Sequence, residues 1–467
     1  MHPLSSATAP QLGRAFGRAL FVGLTLLAAT PLGAQAAEPK AATRTLADLT
    51  GDQRAMLMIE LANTGRHAQA AGILKSHPLS GPHAKNRTLF IEGLILRAYG
   101  DLEGATAKFR SALASDPSLT MVRAELATTL NAMGETDSAK HHLKQLMTEA
   151  PDAQAASQIK SFIDSIDESR PTRFTSFISL APSTNVNNGT HHDKIYSNNG
   201  AFVPDNRQKS GAGLSAGFNV GHTQRLNERY SAIAGLGLNG SVYEETDYNN
   251  FTASEVIELR RQFEWGHIGL GPTASQTITD GGFNFSAQKL SDPDFASFTY
   301  GARLNLLYRL SPRASLQSVT MFDVREYIEA PDYNAEAYGE QFTLSYGFNQ
   351  SLVGHIVAGY DHSDAKVKLL GTDAFVGGLG LYKELPWGLT ATADARVRYT
   401  KYLGDWAVAG APREDLRYDA SLGITKRDWN IFAYAPEVEY SFTTNNSNVQ
   451  IYDFNSHTVD FRLTKEF

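Results

Sequence analysis

The sequence has no cysteine, no strong charge of either sign and no apolar run long enough for a transmembrane helix. The absence of cysteine among 467 residues excludes disulfides, thiolate zinc sites and a cysteine nucleophile. A formal net charge of -7 gives no electrostatic footprint for a nucleic-acid partner. No stretch of about 18 or more apolar residues occurs, so a helical membrane anchor is not expected.

The first residues have the pattern of a secretory signal peptide. Arg14 and Arg18 precede an apolar run at 19–29, and Ala34-Gln35-Ala36 then provides a small-residue cleavage site. Residues 1–36 are therefore predicted to be removed. Because no cysteine follows the cleavage site, a bacterial lipoprotein is excluded.

Residues 37–168 are predicted to form an all-α domain of tetratricopeptide-like repeats. One set of positions recurs 34 residues later, with Gly100, Ala105, Phe109 and Pro117 returning as Gly134, Ala139, Leu143 and Pro151. In such repeats small residues let paired helices approach, so these positions are predicted to pack the helices. The domain either binds a partner in a groove or acts as a spacer, and nothing in the helices decides between the two.

Residues 169–467 are predicted to form a 14-stranded antiparallel transmembrane β-barrel. Apolar and polar residues alternate with a period of two, as in "LTATADARVRYT" at 389–400. The candidate strands are longer than the roughly 5–6 residues of a soluble sandwich strand. They lie near residues 172–182, 209–223, 229–243, 251–264, 267–279, 296–310, 313–327, 336–350, 353–366, 372–384, 387–401, 413–426, 429–443 and 455–467.

The connections between these strands alternate between short turns and long polar loops, as in outer-membrane barrels. An even strand number returns the chain to the side on which it entered the membrane. The helical domain is therefore expected in the periplasm of a Gram-negative cell. Aromatic residues near strand ends are interpreted as membrane-interface girdles; they are Tyr230, Tyr243, Trp265, Tyr300, Trp387, Tyr402 and Trp429.

The final strand has apolar residues at alternate positions, Val459, Phe461 and Leu463, before the terminal Phe467. In lipid every backbone group must be paired, so the last strand has to bond to the first. These four residues are interpreted as the closure and assembly signal that the barrel-assembly machinery reads. A monomeric barrel in the lipid bilayer is expected.

Two motifs suggest catalysis or cofactor binding, but their context argues against both. The G-x-S-x-G pattern at 213–217 and the G-x-G-x-x-G pattern at 235–240 lie within alternating strands with no helix after them. The pairs His141-His142 and His191-His192 lack the spacing of metal ligands. We therefore expect no enzyme activity, cofactor or metal.

After the first barrel strand, the stretch Ala181-Pro-Ser-Thr-Asn-Val-Asn187 and the ending "FRLTKEF" resemble the surface lipoprotein assembly modifier (Slam) family. This family is the outer-membrane component of type XI secretion. The resemblance implies a translocon that exports specific partner proteins to the cell surface, either surface lipoproteins or secreted haem- or metal-binding proteins. An exopolysaccharide exporter, which pairs the same domain types, and a passive porin or receptor are the alternatives.

The candidate cargo contacts form two groups. The first would line the lumen as a hydrated wall and comprises Asp394, Arg396, Arg398, Glu437 and Glu439. The second lies in a long connection that could fold inward as a plug or cargo contact and comprises Asn185, Asn187 and Asn188. The charges would equally solvate the lumen of any porin, and the asparagines would equally suit a surface loop with Asn-Gly turns.

Overall fold

The computed structural model describes residues 45–464 except 198–199, 245–247, 280–294, 329, 407–409, 428 and 430–433. The signal peptide predicted at 1–36 and the terminal Phe467 lie outside these residues. The chain divides into two compact units, described separately below. One is Met1–Leu146 with the turn Pro386–Gly388, and the other is Met147–Leu385 with Leu389–Phe467.

The described residues contain seven α-helices. They are α1 (Gly51–Asn63), α2 (His67–Ser76), α3 (Ala84–Ala98), α4 (Leu102–Ser115), α5 (Thr120–Met133), α6 (Thr136–Met147) and α7 (Ala153–Ser169). Helix α1 begins with a capping box, in which Thr50 Oγ1 accepts from the Gln53 backbone at 3.2 Å and Gln53 accepts from the Thr50 backbone at 3.0 Å. Within the described part of the chain, none of the helices is long and apolar enough to cross a membrane.

The repeat positions fall into two structural classes. Ala105, Phe109 and Ala139 are fully buried, and Leu143 nearly so. Gly100 and Gly134 instead follow helix ends at φ +86° and +88°, a left-handed conformation that glycine adopts without a Cβ clash. A Cβ on Gly100 would meet nothing within 4 Å, so this glycine serves the turn rather than helix approach.

The close approach between helices occurs at a glycine outside the repeat set. A Cβ on Gly93 in α3 would lie 2.4 Å from the Phe109 ring in α4. The sequence repeat therefore identified the buried ring but not the glycine that makes room for it.

Fourteen strands form a closed antiparallel barrel in sequence order, and the first pairs with the last. They are β1 (Thr172–Ser183), β2 (Gly211–Arg225), β3 (Tyr230–Tyr243), β4 (Asn250–Phe263), β5 (Gly266–Thr279), β6 (Phe295–Arg309), β7 (Ala314–Tyr327), β8 (Ala335–Asn349), β9 (Leu352–Ala365), β10 (Thr372–Leu385), β11 (Leu389–Trp406), β12 (Ala411–Lys426), β13 (Ala435–Ser447) and β14 (Phe454–Thr464). A small hairpin of Ile195–Ser197 and Gly200–Phe202 lies in the loop after β1. The predicted fold class is confirmed.

Strand boundaries agree with the sequence pattern within a few residues except at β11 and β13. Strand β11 continues to Trp406, five residues beyond the predicted end at 401. Strand β13 begins at Ala435, and residues 430–433 of its predicted start lie outside the described residues. Two of the predicted girdle residues also prove wrong, because they alternate onto the inner face. The Tyr243 ring lies against Gly213, and Tyr402 lies 4.5 Å from the Arg413 guanidinium.

Helix α7 is followed directly by strand β1. Asp152 caps its start by accepting from the Ala155 backbone at 2.7 Å, and the helix ends at Ser169, shortly before β1. Two acids in its last turn form ion pairs with barrel arginines, Asp167 with Arg173 and Glu168 with Arg225. These contacts join the end of the helix to the adjoining ends of β1 and β2.

Candidate functional site

The charged residues predicted for the lumen do face inward. On β11 the apolar side chains Val397 and Tyr399 are each 37% exposed on the outer wall. Strict alternation therefore turns Asp394, Arg396 and Arg398 toward the interior. The same parity on β13, where Val438 and Tyr440 point outward, turns Glu437 and Glu439 inward.

The inner wall brings several of these groups into one cavity. Its polar lining includes His355, Asp394, Arg396, Arg417, Asp419 and Glu439. His355 Nε2 lies 3.2 Å from Asp394 Oδ1, and Arg398 Nη1 donates to Asp361 Oδ2 at 2.8 Å. Arg398 and Glu437 share the inward face but do not line this cavity.

A recurring tripeptide explains how the wall carries so many charges. On the described strands, an acid and an arginine stand two residues apart in Glu258-Leu-Arg260, Asp323-Val-Arg325, Asp394-Ala-Arg396, Arg413-Glu-Asp415, Asp415-Leu-Arg417, Arg417-Tyr-Asp419 and Asp460-Phe-Arg462. Residues i and i+2 share one face of a strand, so each tripeptide can form an ion pair without a partner strand.

Four of these tripeptides form ion pairs in the structure. The nitrogen–oxygen distances are 2.6 Å for Arg260–Glu258, 2.6 Å for Arg413–Asp415, 2.8 Å for Arg417–Asp419 and 3.1 Å for Arg462–Asp460. Each pair is neutral as a unit, so the wall binds water without a strong field of one sign. Sequence reasoning missed Arg417, Asp419, Asp361 and His355, although the tripeptide was the signal that could have found two of them.

The asparagine-rich segment forms part of the barrel rim. Asn185 is 3% exposed; its Nδ2 donates to the backbone oxygens of Gly189 and Asn455 at 2.9 Å each, and its Oδ1 accepts from the Gly189 backbone at 3.0 Å. Asn187 Nδ2 donates to Asn206 Oδ1 at 2.9 Å, and Asn188 adopts φ +48°. The hydrogen bonds of Asn185 and Asn187 are thus made within the rim.

An arginine enclosed by aromatic rings fixes the same rim. The Arg413 guanidinium lies 3.2 Å from the centre of the Tyr452 ring, and Trp406 also lies beside it at 5.6 Å. Burial raises the pKa of the Tyr452 hydroxyl, which lies in the loop between β13 and β14. The end of β11 and the loop after β13 are therefore packed around one charged side chain.

The seam between β1 and β14 closes the barrel, and its ladder is interrupted at two residues of β1. Phe177, Ile178, Ser179 and Leu180 pair with β14, as does Ser183, but Ala181 and Pro182 do not. On its other edge, β1 pairs with β2 at every position from Thr172 to Ser183. Proline lacks the backbone N–H that a ladder needs, so the gap faces β14.

Side chains bridge the gap from both sides. Below it, Ser179 donates to Asp460, which also pairs with Arg462, and the Arg462 guanidinium lies 5.2 Å from the centre of the Phe177 ring. Above it, the hydroxyls of Ser183 and Thr458 are 3.0 Å apart. The closure residues Val459, Phe461 and Leu463 share the outer face of β14, where Phe461 is 51% exposed.

Comparisons with known proteins agree on one family. The sequence pattern of the family "Surface lipoprotein assembly modifier" matches residues 173–467, and a tetratricopeptide repeat pattern matches residues 96–161. A surface lipoprotein assembly modifier of Pasteurella multocida (strain Pm70) is 22% identical over 391 residues, covering 80% of this chain and 75% of that protein.

Two further similarities are more distant. Surface lipoprotein assembly modifier 1 of Haemophilus influenzae (strain ATCC 51907 / DSM 11121 / KW20 / Rd) is 20% identical over 395 residues, covering 84% of this chain and 80% of that protein. Among solved structures, a Pseudomonas aeruginosa FadL homologue aligns with a TM-score of 0.36 and 11% identity, covering 70% of this chain and 93% of that one. A structural similarity this low says nothing about the lumen or the seam.

Proposed function

The chain belongs to the surface lipoprotein assembly modifier family, and on this premise we propose that it exports specific partner proteins from the periplasm to the cell surface. It is an outer-membrane β-barrel of that family, involved in surface lipoprotein assembly, and a transporter rather than an enzyme. The class of cargo that the family implies is a surface lipoprotein. The route, the direction and the selectivity for individual partners are the proposal.

The observation that carries the proposal is the lumen wall of ion-paired tripeptides. A moving polypeptide presents acids, bases and apolar groups in turn, so a wall of one charge sign would hold part of it. Pairs such as Arg417–Asp419 remain hydrated yet offer no net charge to a passing segment. Acids and bases also alternate too closely for a uniformly charged polysaccharide to find a matching wall.

The placement of the helical region in the periplasm is part of this proposal. An even number of strands returns the chain to the side of the membrane on which β1 begins. Helix α7 is held on that side by ion pairs with Arg173 and Arg225. A helical domain on the periplasmic side would meet cargo before the lumen does.

Export without a nucleotide at the outer membrane needs another source of free energy. A cargo that folds only outside is removed from the translocating pool, and this shifts the equilibrium outward by mass action. The transporter then needs only a passage and a means of recognition. The wall described above supplies the passage.

The experiment that tests the proposal compares the surface and secreted proteomes of the native host with and without this gene. We expect one or a few proteins to disappear from the surface and accumulate in the periplasm. Loss of a capsule or matrix sugar with an unchanged protein profile would establish the exopolysaccharide exporter instead. Loss of small-solute uptake alone would establish a porin.

A further inference from the structure

The β1–β14 seam has the properties of an exit toward the membrane. Every other neighbouring pair of strands in the barrel is joined within one hairpin or loop, whereas this pair is joined only by non-covalent contacts across the seam. At Ala181 and Pro182 those bonds are missing from the β14 side. We propose that the seam opens at Pro182 and passes the acylated end of the cargo sideways into the membrane.

This inference rests on the proposed function and adds the route of the lipid. An acyl chain is stable in hydrocarbon and unstable beside the hydrated ion pairs of the lumen. A closed barrel would force the acyl chain either through that lumen or around the protein. A lateral opening lets the polypeptide stay in the lumen while the acyl chain stays in lipid.

The contacts at the seam divide it into a lower and an upper part. Below Pro182, the Asp460 carboxylate links Ser179 on β1 to Arg462 on β14, so the backbone gap lies beside a charged, lumen-facing link. Such a link can re-form with water or with cargo polar groups when the strands part. Leu180, the next residue of β1 after Ser179, is 51% exposed on the lipid side. At the gap, the thickness of one strand therefore lies between the polar lumen and the apolar outer surface.

Above Pro182, the seam is held by side chains and two rim bonds. Ser456 Oγ lies 2.9 Å from Ser183 Oγ and 3.2 Å from the Asn185 backbone oxygen. The Thr184 backbone donates to the His457 oxygen at 2.9 Å, and the His457 backbone donates to Thr184 Oγ1 at 2.9 Å. These bonds form a rim latch that must break, and reform, for the seam to open.

The absence of cysteine allows a direct test by reversible crosslinking. Ser183→Cys with Thr458→Cys places two thiols on directly paired residues of the seam. The matched control is Ser215→Cys with Ser241→Cys, which are directly paired between β2 and β3 with hydroxyls 2.7 Å apart. Both pairs face the lumen, and only the first locks the seam.

The measurement is the amount of palmitate-labelled lipoprotein that added protease reaches on intact host cells. With the seam crosslink formed, we expect the amount of protease-accessible lipoprotein to fall about tenfold and to recover after reduction. In the β2–β3 control variant, formation of the crosslink should leave this amount unchanged. Recovery on reduction shows that the variant barrel was folded. Wild-type export through a fully crosslinked seam would overturn the inference and leave the proposed function intact.

A second measurement follows the lipid itself. A photo-crosslinking amino acid replaces Leu180 on the outer face of the seam, or Ile356 on the outer face of β9 as the control. We expect capture of palmitate-labelled lipoprotein at position 180 and not at 356, whereas equal capture at both would overturn lateral exit. If deletion of the gene leaves the palmitate-labelled surface proteins unchanged, the proposed function itself fails.

Discussion

Asn185 shows how one amide side chain can hold a loop together and join it to a strand. It is buried at the rim and makes three hydrogen bonds, two to Gly189 and one to Asn455. Removing a buried polar side chain leaves its hydrogen-bond partners unsatisfied, and the free-energy cost of this exceeds the net contribution of the bond itself. The sequence predicts Asn185 as a cargo contact, and its bonding gives it a structural function at the rim that does not depend on cargo.

Asn185→Ala is therefore expected to loosen the rim. Loss of the three bonds should destabilise the loop by about 1–3 kcal/mol, and limited proteolysis of intact cells should cleave within 184–210 faster than in the wild type. The control is Asn188→Gly, because glycine accepts the φ of +48° found there. Equal protease resistance of the Asn185 variant and the wild type would contradict the structural function.

At the scale of elements, the two faces of a strand predict opposite tolerances for one substitution. Leu422 on β12 is 62% exposed on the outer wall, and the preceding Ser421 lines the lumen cavity. Leu422→Arg places a charge against lipid and is expected to cost about 2–4 kcal/mol near the membrane midplane. Ser421→Arg is expected to be tolerated, because its charge meets water.

The amount of folded barrel in outer-membrane fractions, read from heat-modifiable migration on a gel, checks this pair. We expect the Leu422 variant to be strongly reduced and the Ser421 variant to match the wild type. The opposite order would mean that the assigned faces of β12 are reversed, and with them the lumen set on β11 and β13.

The strands and their order around the barrel were predictable from sequence because period-two alternation is local, whereas the residue register between neighbouring strands was not. Leu238 and Val242 point outward at even positions, so the alternation alone placed Tyr243 on the inner face. Its position near a strand end suggested a membrane-interface girdle instead. The sequence shows that Pro182 lacks a backbone N–H. Which neighbouring strand loses a hydrogen bond depends on the register, and the register is fixed only when the barrel closes. One of the three rim bonds of Asn185 reaches Asn455 on β14, 270 residues away in sequence, and such a partner cannot be read from the local pattern.

At the scale of the whole molecule, the paired charges predict how export responds to charge balance. Asp361→Asn with Asp419→Asn leaves Arg398 and Arg417 without their carboxylate partners in the lumen. The wall becomes net positive there and should hold acidic cargo segments, so export should slow by about two- to fivefold, with partial recovery at high salt.

The matched control exchanges the charges within one pair. Arg417→Asp with Asp419→Arg keeps the strand neutral and should export at the wild-type rate. Both variants are compared by the palmitate-label assay on intact cells. If the exchanged pair is as slow as the neutralised one, specific contacts rather than charge balance govern passage.

The seam also has a consequence for how the barrel folds. Ser215 and Ser241, which bond across a hairpin, are 26 residues apart, whereas Ser179 and Asp460, which bond across the seam, are 281 apart. Contacts of long sequence separation form late because a large loop must close before they stabilise anything. Ring closure is therefore expected to be the last step of folding, and until it occurs the strands form an open sheet with two unpaired edges.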